Sequence, residues 1–133
     1  MQYDEFVGKV QERARLASSG EAVRAIRATL ETLDQRLNPG EAQDLAAQLP
    51  REIGAFFGGS QQAETFNLNH FFELVSAKEE VDLPDAVHHA RAVIAVLQDA
   101  ATQGEMANVR AQLPDDWDQL FAAGSEGEFD VNE

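Results

Sequence analysis

The stretch Gly40–Pro50 reads GEAQDLAAQLP, and Gly104–Pro114 reads GEMANVRAQLP, 64 positions later. Self-similarity at a fixed spacing constrains a fold more than any local pattern, because each copy must form the same unit. The same shift of 64 pairs Ala22-Val23 with Ala86-Val87, Arg27-Ala28 with Arg91-Ala92, Leu33 with Leu97 and Phe57 with Phe121. A shift of 65 lays DEFVGKV (Asp4–Val10) over NHFFELV (Asn69–Val75), so Phe6 meets Phe71 and Val10 meets Val75. The chain therefore reads as a duplication. Unit one spans 1–57, a glycine-rich linker spans 58–66 and unit two spans 67–122.

The periodicity inside each unit is helical. Phe6, Val7, Val10 and Ala14 form one stripe, as do Phe71, Phe72 and Val75. A second segment carries Val23, Ile26, Leu30, Leu33 and Leu37, matched by Val87, Ala90, Ile94, Leu97 and Ala101. Spacings of three and four residues place these side chains on one helix face and on neither face of a strand. Ser18 or Ser19, Asn38 and Asp82 stand at expected N-caps, with Pro39 and Pro84 in the first turns that follow. Pro50 and Pro114 each open a short aromatic helix, PREIGAFF and PDDWDQLF. The expected fold is all-α: two tandem units of about four helices each, packed as one helical domain over 1–122. Residues 123–133 read as an acidic, unstructured tail.

Charge narrows the functions. Twenty-four acids against ten Lys and Arg give a net charge of -14, and only Lys9 and Lys78 are lysines. A surface acidic along its whole length repels phosphate backbones and anionic headgroups, which argues against nucleic-acid and membrane-surface partners. Acid excess with almost no lysine resembles the proteins of salt-loving archaea, in which molar salt screens carboxylate repulsion to about 3 Å. No stretch reaches the roughly 18 apolar residues of a membrane span, and the N-terminus lacks a signal peptide's apolar core. A cytoplasmic location is expected.

The chain has no cysteine, which removes disulfides, thiolate nucleophiles and cysteine metal sites. Neither phosphate-binding glycine loop is present, and no serine stands in a nucleophile elbow, so neither catalytic residues nor a cofactor is expected. Of the histidines, adjacent His88 and His89 diverge by about 100° on a helix and cannot both hold one ion. A site from His70, Glu73 and one of that pair would need two helices to converge, and no metal site is expected. One histidine is expected at the helix start against a neighbouring carboxylate, the other at the surface. Glu41 and Glu105, in register after a glycine, read as first-turn glutamates that bond free backbone N–H groups. Gln48 and Gln112 are expected to bond the next turn's backbone or each other across the halves, with a pair of polar groups facing a shared groove as the functional alternative, and Arg27 and Arg91 to form intramolecular ion pairs.

YDEFVGKV, AVRAIRATLETLDQRL, the two GE…AQLP phrases, HARAVIAVLQDA and AQLPDDWDQLF together resemble the domain of unknown function family 2267 over about residues 3–121. The resemblance implies a helical fold with similar halves in small soluble prokaryotic proteins, and it implies no activity. The resulting functional expectation is a non-catalytic helical module acting through a protein partner or self-association. The alternative is a small ligand or cofactor in an apolar cleft between the units, lined by Phe56, Phe57, Trp117 and Phe121.

Overall fold

The computed structural model describes residues 1–126. Its elements, in order, are α1 (Tyr3–Ala14), α2 (Ser19–Arg36), α3 (Pro39–Ala46), α4 (Arg51–Gly54), α5 (Leu68–Glu79), α6 (Leu83–Ala100), α7 (Gln103–Ala111), a 3-10 turn at Asp115–Trp117 and α8 (Asp118–Glu126). The expected all-α class holds, with no strand among the described residues. The fourth segment of unit two is longer than its short counterpart, since α8 runs on through Glu126. The remainder of the expected acidic tail, 127–133, lies outside the described residues.

Helix boundaries repeat as the sequence does. α1 and α5 share their limits at a shift of 65, and α2 and α6 at a shift of 64. The missing residue falls in the corner between them, which spans 15–18 in the first unit and 80–82 in the second. Both corners nonetheless use one geometry. Arg15 (φ 58) and Glu80 (φ 63) are left-handed, and the next residue's N–H returns to a helix carbonyl, Leu16 to Gln11 and Val81 to Ser76. This closure satisfies the helix's last carbonyls, as the common C-terminal cap does. At the far end, Leu37 and Ala101 are both extended, and each donates to the carbonyl four residues back.

The two units do not hold separate cores. α2 packs on α5 as well as on α1, α6 packs on α1 as well as on α5, and α8 lies along α6. Phe6, Ile26, Leu30, Leu33, Phe71, Ile94, Leu97, Trp117 and Phe121 belong to one continuous apolar cluster, each at most 1% exposed. A lone unit could not bury its stripe, because the stripe faces the other unit.

The 58–66 linker is pinned by residues that hydrophobic patterning cannot reveal. Asp34, buried near the end of α2, accepts hydrogen bonds from the backbone N–H groups of Gly58, Gly59 and Ser60 at 3.0–3.1 Å. Gly58 has φ +103, a conformation that a side chain disfavours. Arg36 donates to the Phe66 carbonyl at 2.9 Å and sets its guanidinium over the Trp117 ring, 5.3 Å from the centroid. Gly54 serves close packing: a Cβ there would stand 2.8 Å from the Ala46 carbonyl oxygen.

Candidate functional site

The four aromatic residues expected to line a cleft do not act together. Phe57, Trp117 and Phe121 are 8%, 1% and 1% exposed and belong to the core. Trp117 packs on Phe71 with ring centroids 5.2 Å apart, and on Phe66 at 6.3 Å. Phe56 is half-buried and edges an open hollow of about 720 Å3, where its neighbours include Glu31, Asp34, Gln62 and Lys78. The hydrophobic effect explains the division, since the large rings complete a core shared between units and little aromatic surface remains outside.

Two polar constellations take their place. The first lies where the α1–α2 and α5–α6 corners face a hollow of about 530 Å3, lined by Arg15, Arg24, Glu79, Asp85, His88 and His89 among others. His89 and Glu79 are both buried, and His89 Nδ1 bonds Glu79 Oε2. That bond, more than the opposing cost of burial, raises the His89 pKa above its usual 6.5, with help from the charges of Glu79, Asp85 and Glu21. His88 shifts downward, chiefly through burial and then through the neighbouring His89. Glu79 Oε1 is buried with no hydrogen-bond partner, while Arg24 holds the Glu79 carbonyl at 2.7 Å. The expected pairing of one histidine with a neighbouring carboxylate is formed, and that carboxylate comes from the end of the preceding helix.

The second constellation is the junction of α3 and α7, and it accounts for the repeated phrase. Gln48 Oε1 accepts from the backbone N–H of Thr102 at 2.8 Å, and Gln112 Oε1 accepts from that of Asn38 at 3.1 Å. The two bonds interchange under the shift of 64, so each glutamine ties the start of the other unit's third helix. Neither expected bond, to the next turn or between the two glutamines, is the one formed; each side chain instead reaches a backbone N–H of the other half. Gln112 Nε2 also donates to Glu41 Oε1 at 3.2 Å.

The expected bonding of free backbone N–H groups by Glu41 and Glu105 does not form. The cap of α7 is Thr102, whose hydroxyl accepts from Glu105 N, and the α3 cap Asn38 makes no side-chain cap bond. Glu41 and Glu105 instead turn toward each other across the junction. Their Oε2 atoms are buried and receive no donor. The Glu105 carboxyl is raised from 4.5 to about 7, first by a hydrogen bond shared with Glu41, then by burial and by the charges of Glu41 and Asp44. Asp44, one turn along α3, completes a trio whose oxygens lie within 4.8 Å of one another.

His70 bonds Glu73 on its own helix at 3.2 Å and is exposed, away from the His89–Glu79 pair. Arg27 pairs with Glu31 at 3.1 Å, the expected intramolecular partnership. Sequence reading missed Glu79, Asp34 and Asp44. Only Asp44 left a usable signal, three residues after a glutamate that recurs in register.

These features define an all-helical protein whose helices share one core, with reciprocal glutamine bonds across the α3–α7 junction. No helix among the described residues is long and apolar enough to cross a membrane. The chain belongs to the uncharacterized conserved protein family DUF2267, whose model matches residues 3–120. No curated protein matches it.

Proposed function

We propose that the protein is a non-catalytic helical module that works through protein contacts. The observation that carries this reading is the fate of the aromatic side chains. Phe57, Trp117 and Phe121 are spent on the core, so the surface offers open, carboxylate-edged hollows in place of an apolar cleft. Charge of one sign over such a surface favours a partner with a basic face, through steering and complementarity. The cleft-binding alternative has Phe56 alone in its support.

The composition is read as adaptation to molar salt, the cytoplasm as the location, and the repeated helix limits as the mark of an ancestral duplication. The test is light scattering in molar KCl, alone and with host proteins fractionated by charge, beside a fluorescence screen of small metabolites. A defined complex with a basic protein, or a homo-oligomer, supports the proposal. A strict monomer that binds a metabolite and no protein overturns it.

A further inference from the structure

Carboxylates gather readily on an acidic surface, so proximity alone says little about Glu41, Asp44 and Glu105. What sets this group apart is that two of its carboxylate oxygens, Glu41 Oε2 and Glu105 Oε2, are shut away from water. Glu105 is only 8% exposed, and its Oε2, like that of Glu41, is shut off from water and accepts from no nitrogen or hydroxyl; the group Glu105 meets is the other carboxylate. An unpaired buried carboxylate oxygen forfeits the hydration it would have outside, a cost that a bound cation or a shared proton removes. The junction is also held in place. The Gln48–Thr102 and Gln112–Asn38 bonds fix the starts of α3 and α7 against each other, and Gln112 Nε2 orients Glu41 through its other oxygen.

Size and donor type select the occupant. Three carboxylates are hard oxygen ligands, suited to calcium, magnesium or manganese and poorly suited to softer metals. An ion at the centre of an oxygen triangle with 4.8 Å sides lies about 2.8 Å from each corner, and the sides here are no longer than that. That ceiling covers the 2.3–2.6 Å of calcium, whose coordination is flexible, whereas magnesium demands a near-ideal octahedron and dehydrates reluctantly. We propose that Glu41, Asp44 and Glu105 form a binding site for one calcium-sized divalent cation, which bridges the two units at the α3–α7 junction.

The test uses the full chain, stripped with a chelator and dialysed into molar KCl, where loose association of cations with an acidic surface is screened. Calorimetric titration with CaCl2 is expected to give one saturable site, tighter than that for MgCl2, and melting temperature should rise with calcium concentration. Glu105→Gln and the exposed Asp44→Asn are each expected to weaken calcium binding at least about tenfold, while Glu52→Gln leaves it unchanged. Asp44→Asn decides the matter if Glu105→Gln fails to fold. A wild-type protein that takes up no calcium in molar KCl holds a shared proton there and no ion, which overturns the proposal. Calcium binding that survives both substitutions overturns it as well.

Discussion

Removing His89 from its pair with Glu79 tests how a buried charge is tolerated in so acidic a chain. Glu79 is 3% exposed, its Oε2 bonds His89 and its Oε1 has no partner, so His89 is the side chain that offsets its charge in this bond. His89→Leu strands that carboxylate, at a cost of roughly 3–5 kcal/mol. With unfolding entropy near 2.1 cal/mol/K per residue, 133 residues give about 0.28 kcal/mol/K, so the loss lowers the melting temperature by about 10–18 °C. Glu79→Met with His89→Leu removes both charges and keeps comparable volume, which brings stability back to within about 1 kcal/mol of the parent. The assay is urea unfolding in molar KCl, followed by the fluorescence of the single tryptophan, Trp117, and by far-ultraviolet circular dichroism; urea leaves the ionic strength alone. A His89→Leu cost below about 1 kcal/mol, or a double variant as weak as the sum of its singles, refutes the reasoning.

The same pair sets a pH dependence: because the folded pKa of His89 lies above 6.5, its stabilisation is complete below 6.5 and is lost as pH rises through the raised value. Unfolding midpoints across that window should fall more steeply for the parent than for the Glu79→Met/His89→Leu variant, in which the Glu105 carboxyl still titrates at about 7. Asp34→Ala frees three backbone N–H groups and should cost roughly 2–4 kcal/mol, with faster proteolysis in the 58–66 linker as a second readout. Gly54→Ala meets the Ala46 carbonyl and should destabilise by about 1–3 kcal/mol, whereas Gly8→Ala, with open space around it, should stabilise α1 by about 0.5–1 kcal/mol. Thermal melts of the two glycine variants should therefore move in opposite directions. Gln112→Ala removes two bonds across the junction and Gln48→Ala one, so the former should cost more, each bond counting for roughly 0.5–1.5 kcal/mol in urea titrations.

Periodicity and turn chemistry made the helices legible, because a stripe at three- and four-residue spacing and a proline in the first turn are local causes with local effects. The repeat went further and located equivalent positions before any contact was known, including the glutamines that tie each unit to the other. What stayed illegible depended on residues far apart in the chain. Nothing near Trp117 or Phe121 tells whether an aromatic ring completes a core or lines a cleft; the packing of α8 on α6 and of Trp117 on Phe71 decided that. Glu41 and Glu105 satisfy every local rule for a first-turn glutamate, and only the meeting of α3 with α7 turned them toward each other.

The sequence by itself determined which segments are helical, since this follows from hydrogen bonds and side-chain spacing within a few residues. Tertiary structure alone decided which polar groups lost their water and found, or failed to find, a partner. That outcome is a sum over neighbours brought from up to 74 residues away, as Asn38 and Gln112 are. In this protein those meetings produced the Glu79–His89 pair, the Asp34 clasp and the carboxylate junction.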